Sequence, residues 1–152
     1  MTPEEKARVK IDQWFADAGW KVVNRDEYEP TISAVAIREG LLKGNLEADY
    51  FLFINGKAVG VLEAKREEIN ISSNIVSEQA ITYAKSVPDC YQAWQKPLPF
   101  LFKSNGKETE FGTFRLTETG DAFNTIYAVN RLKSAEVPTD SNVVICTIQR
   151  LF

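Results

Sequence analysis

Glu47-Ala48-Asp49-Tyr50-Phe51-Leu52-Phe53-Ile54 runs directly into Asn55-Gly56 and then into Lys57-Ala58-Val59-Gly60-Val61-Leu62-Glu63-Ala64-Lys65. The first run is rich in aromatic residues and reads as a strand. Asn-Gly supplies two residues that tolerate the left-handed conformation, the strongest short signal for a hairpin turn. The second run is apolar on both faces until its end, the pattern of a central strand covered on both sides. Upstream, Thr2-Pro3-Glu4-Glu5 reads as an N-cap, a proline in the first turn and a capping-box glutamate. Ala7, Ile11, Trp14, Phe15 and Ala18 recur at helical spacing, and Gly19 closes that helix. Trp20–Val23 reads as a short strand, residues 24–31 as a loop, and Ile32–Glu39 as a further strand. Downstream, Ser72-Ser73-Asn74 caps a second helix with a stripe of Val76, Ala80, Tyr83, Ala84 and Val87, ended by Pro88. Leu98–Lys103 is another strand, Ser104–Lys107 a turn, and Asn142–Thr147 a further strand. This order predicts the α/β class, with a mixed central β-sheet flanked by helices.

Composition narrows the chemistry. The chain has 152 residues, about one domain, with 44% hydrophobic and 26% charged residues, an ordinary globular mixture. Lys plus Arg is 18 against 21 for Asp plus Glu, a net charge of −3, so a nucleic-acid partner would need a local patch or another subunit to attract it. There is no histidine. That excludes Ser–His–Asp and Cys–His catalysis and every zinc site that needs imidazole. Cys90 and Cys146 make neither a thiolate cage nor a disulfide scaffold, and a reduced cytoplasmic protein is expected. The longest apolar runs, Tyr50–Ile54 and Val143–Cys146, are far short of a membrane span, and no P-loop motif occurs.

Carboxylates and lysines remain. Glu63 and Lys65 lie two apart on a strand and so share a face. Asp49 begins the preceding strand. Carboxylates at adjacent strand ends supply oxygen ligands to a hard cation such as Mg²⁺, which polarises a phosphoryl oxygen and activates water. A lysine there orients that water or stabilises charge in the transition state. The bland reading is a surface Glu63–Lys65 ion pair, with Tyr83 in the core and Gln79 a solvated helix residue; an Asp followed by Glu-x-Lys arises often by chance.

Taken together, Ala48-Asp49-Tyr50, Leu62-Glu63-Ala64-Lys65 and Gln79 with Tyr83 on the next helix resemble the PD-(D/E)xK nuclease core. More narrowly, they resemble the N-terminal nuclease domain of the restriction (R) subunit of type I restriction enzymes. Ala7-Arg8, Ile11-Asp12, Ala18-Gly19-Trp20, Glu39-Gly40, Gly44, Pro99-Phe100 and Ser104-Asn105-Gly106-Lys107-Glu108 fit the same pattern. The resemblance covers roughly residues 4–108. It implies a nuclease domain over 1–108 with Asp49, Glu63 and Lys65 catalytic. Asp49, Glu63 and the Ala64 backbone carbonyl would bind Mg²⁺. Gln79 and Tyr83 would organise the site or touch DNA. Glu4 aligns loosely with an acidic residue that some members carry on the first helix, although capping already accounts for acidic residues there. The implied partners are double-stranded DNA and the modification and specificity subunits, with no membrane.

Residues 109–152 resemble a fragment of the first helicase-like motor lobe, chiefly through Val143-Val144-Ile145-Cys146-Thr147-Ile148-Gln149. The family's motor uses ATP, but without a P-loop ATP binding is not expected of these residues. The sequence reads as a jump near 107–115, from an internal deletion or from partial representation of a longer protein. Read without the resemblance, 111–152 is a C-terminal elaboration of one domain.

The functional reading makes a geometric demand. A strict two-residue Asn55-Gly56 loop pairs Asp49 with Leu62 and turns Glu63 away. A three-residue loop with Gly56 as the bulge residue, or a bulge elsewhere, brings Glu63 to the face of Asp49. The three-residue loop is the predicted register. Three functions compete: an Mg²⁺-dependent DNA endonuclease module, a non-catalytic truncated remnant or docking module of the restriction complex, and a small binding protein whose Glu63–Lys65 pair is structural.

Overall fold

The computed structural model describes residues 1–117 and 120–129. Within them are two α-helices, two single-turn 3-10 helices and seven strands, and the strands form one mixed sheet in chain order. Helix α1 (Pro3–Asp17) is followed by β1 (Lys21–Val23), β2 (Ala34–Leu41), β3 (Glu47–Ile54) and β4 (Lys57–Ala64). Helix α2 (Asn74–Lys85) then leads to β5 (Phe100–Ser104), β6 (Thr109–Thr117) and β7 (Gly120–Val129). Strands β1 and β2 are parallel, as are β4 and β5; the other neighbours are antiparallel. The sheet continues without a break across residue 108, where the motif pattern ends. The expected strand at Asn142–Thr147 lies outside the described residues.

Both helix starts form as expected. Thr2 and Glu5 make the reciprocal capping box of α1, and Ser73 caps α2 by accepting from Val76 N–H. Gly19, at φ 92, follows the α1 cap. Helix α2 stops at Lys85 rather than at Pro88. A residue before proline is pushed out of the helical region, so Val87 belongs to the exit.

Two cores follow from the strand alternation. Phe51, Phe53 and Val61 pack with Ile81, Ala84 and Val87 on the α2 side. Tyr50, Leu52 and Leu62 pack with Ile11 on the α1 side, against Trp14 and Phe15. Tyr50 also donates to Asp12 Oδ1 at 2.6 Å, and Asp12 Oδ2 accepts from Arg38 at 2.9 Å, tying α1 to β2 and β3. The 104–108 turn is stapled from inside: Asn105 Nδ2 donates to the carbonyls of Glu67 and Ile69, and its Oδ1 accepts from Lys107 and Glu108 N–H. Gly106, at φ 81, lies against α1; a Cβ there would stand 2.9 Å from Ala7 Cα.

The hairpin departs from the expected register. Ile54 pairs with Lys57, so the loop holds two residues, not three. Asn55 and Gly56 both have positive φ, 50 and 78, the turn whose twist matches the flanking strands. The change of parity comes from inside β4. Phe53 pairs with Ala58 and Leu52 with Gly60, leaving Val59 as an extra, bulged residue. Beyond the bulge Tyr50 pairs with Leu62, and the continued register sets Asp49 opposite Glu63. Gly60 is required beside the bulge, because a Cβ would overlap the Phe100 carbonyl oxygen of β5.

Candidate functional site

Asp49 and Glu63 thus stand across from one another on the two central antiparallel strands, with α1 reaching Asp49 through Arg8 and α2 bringing Tyr83 toward both carboxyl groups. Residues directly opposed in such a pair hold their side chains within a few ångströms. Asp49 Oδ2 accepts the Ala64 N–H at 2.8 Å. Its Oδ1 is bonded to Arg8 of α1. Glu63 Oε1 meets Lys65 Nζ at 2.9 Å. The Glu63–Lys65 pair therefore exists, but it is not a surface pair: Glu63 is only 3% exposed, because a central strand carries it under α2. Lys65 lies just past β4, its side chain partly exposed.

Burial and the Asp49 charge push the Glu63 carboxyl up to about 7, with Lys65 opposing them. Burial also raises Asp49, against the Ala64 amide and Arg8, which favour its charged form. Glu63 Oε2 is buried with no fixed donor, and the Glu63 carboxyl faces that of Asp49, with which it can share a proton. Such an acceptor is costly unless a donor or a cation reaches it. Two carboxylates and the neighbouring Ala64 backbone fit Mg²⁺, which keeps several waters and takes few protein ligands. Among the described residues, no group of three or more His, Cys, Asp and Glu side chains forms a ready-made metal cage.

Helix α2 presents Tyr83, half-buried, close enough to both carboxylates that their charges raise its phenol, after burial itself. Gln79 lies one turn earlier on the same helix face, its Oε1 buried without a partner. Glu4 does not touch either carboxylate. It reaches Arg8 at 3.6 Å, and the capping role belongs to Glu5.

Sequence reasoning missed three residues. Lys103 is Glu63's register partner on β5, and Glu110 is Lys103's partner on β6. A row of charges, Asp49, Glu63, Lys103 and Glu110, therefore crosses four strands on one face. Lys103 is 1% exposed and ion-paired to Glu110 at 3.1 Å. The signal was a lysine ending an apolar strand, which only strand order could connect to Glu63. The third is Arg8, which meets Asp49, Glu4 and Glu39.

The fold is a mixed α/β sheet in which a part-buried aspartate, a buried glutamate and a lysine lie together at the ends of the central strands. The chain belongs to the family described as type I restriction enzyme EcoKI endonuclease subunit, second domain, whose model matches residues 27–112. The match takes in Asp49, Glu63, Lys65, Gln79 and Tyr83 and begins after α1. No curated protein and no solved structure matches the chain. Among the described residues, no helix is long and apolar enough to cross a membrane.

Proposed function

We propose that this chain is a PD-(D/E)xK nuclease module of a type I restriction endonuclease subunit, hydrolysing DNA phosphodiesters with Mg²⁺. The observation that carries the reading is the bulge at Val59, which sets Glu63 opposite Asp49 and beside Lys65. A structural pair would need no second carboxylate on that face. The residues fit the metal: Asp49, Glu63 and the Ala64 carbonyl would hold it, and two facing carboxyl groups, with Glu63 Oε2 lacking a fixed donor, would be held together by a cation in place of a shared proton. Mg²⁺, when bound, neutralises phosphoryl charge and lowers the pKa of water in its shell. Lys65 orients the attacking water or meets the charge that grows on phosphorus-bound oxygen. Tyr83 and Gln79 line the α2 side and position the phosphodiester. With a net charge of −3 the chain is suited to delivery onto DNA by modification and specificity subunits rather than to free binding.

The test is cleavage of plasmid DNA by the purified chain with Mg²⁺, beside Lys65→Ala. We expect nicking or linearisation that EDTA abolishes and that falls at least about 100-fold in the variant, the usual scale for a lost general acid–base or charge-stabilising group. Cleavage untouched by the substitution refutes the role of Lys65. Metal binding without cleavage supports a docking module in its place.

A further inference from the structure

Arg8 is 25% exposed and has three carboxylates around one guanidinium. One amino group meets Asp49 Oδ1 and also Glu4 Oε1 at 3.6 Å; the other meets Glu39 Oε1 at 3.4 Å. Glu39 is the β2 residue in register with Asp49, lying between the pairs Arg38–Tyr50 and Gly40–Ala48. It has φ 51 within a strand. The other Asp49 oxygen already accepts the Ala64 N–H. A guanidinium keeps its charge at every working pH. It is therefore a permanent cation seated on the oxygen that a divalent ion shared by Asp49 and Glu63 would need. Two cations at that distance repel in a partly dry site.

We propose that Arg8 is the resident counter-ion of Asp49 and that a divalent cation, on entering, displaces it from Oδ1 onto Glu39 and Glu4. This rests on the reading of Asp49 and Glu63 as metal ligands. Glu4, which the resemblance aligns loosely with an acidic residue on the first helix, then acts through Arg8 and not on the metal. Exchange of one cation for another keeps the carboxylates neutralised in both states, so the site neither collapses nor repels itself before metal arrives.

The experiment is Mn²⁺ and Tb³⁺ titration of the intact chain, followed by electron paramagnetic resonance and by luminescence. Arg8→Gln should bind either ion about fivefold to tenfold more tightly than wild type, the scale of removing one partly screened like charge. Arg8→Lys, which keeps the charge, should stay close to wild type. In the wild-type chain the Arg8 Nε–H resonance should shift on addition of Mg²⁺, which needs no variant to fold. Unchanged or weaker binding by a folded Arg8→Gln, or an unmoved Nε–H resonance at saturating Mg²⁺, overturns the proposal. Asp49→Asn should abolish binding in either background. If neither wild type nor Arg8→Gln binds any ion, the metal reading itself fails, and this inference with it.

Discussion

Lys103 is the residue whose removal should be felt most. Its ammonium has almost no contact with water, and its register neighbours are Glu63 on one side and Glu110 on the other. Breaking a buried pair from one side leaves the other charge uncompensated. Lys103→Met should therefore lower stability by about 3 kcal/mol, read by urea unfolding monitored by tryptophan fluorescence. Lys103→Met with Glu110→Leu should recover most of that loss, since both charges then go together. An equal loss in the double variant would show that Lys103 matters through Glu63 instead.

At the scale of the element, the bulge in β4 is what decides the site. A regular ladder from the Asn55-Gly56 turn would put Leu62 opposite Asp49 and bury Glu63 on the α1 side. Val59 is the inserted residue, so its deletion leaves Tyr50 facing Leu62 and Asp49 facing Glu63. We expect that deletion variant to keep its lanthanide affinity within about threefold while losing about 1–3 kcal/mol with the buried Val59 side chain. Tb³⁺ luminescence beside a thermal melt checks both halves. Affinity lost with the fold intact would mean that the bulge shapes the site by twist and not by parity.

The whole molecule couples this site to stability through protons. Burial and the Asp49 charge push the Glu63 carboxyl up to about 7 in the fold, from an ordinary value of 4.5. Between those values the folded chain holds a proton that the unfolded chain has released. Stability therefore falls as pH rises through that window, the reverse of a carboxylate whose pKa is depressed. In EDTA, the melting temperature should drop from pH 5 to about 7, and Glu63→Gln should flatten the curve. Stabilisation by Mg²⁺ should run the other way, growing as pH approaches about 7, because a metal ligand must give up its proton. A flat EDTA profile for wild type would show that Glu63 is ionised throughout.

What the sequence determined by itself was local. The capping box at Thr2–Glu5, the Asn55-Gly56 turn and the residue types at 49, 63 and 65 are read from neighbours a few positions apart, where steric and hydrogen-bonding rules act directly. The order of elements was legible for the same reason as far as β5; β6 and β7, whose runs mix polar and apolar residues, were not read as strands. Which face Glu63 presents was not, because it turns on one extra residue inside β4; Gly60 within an apolar run is a signal for a bulge or a close backbone approach, but it does not say which, nor where the extra residue falls. Nor could the chain order reveal the row from Asp49 to Glu110 or the seat of Arg8 on Asp49. Those contacts join residues dozens of positions apart, and only the packing of β5 beside β4, with α1 laid across the sheet, brings them together.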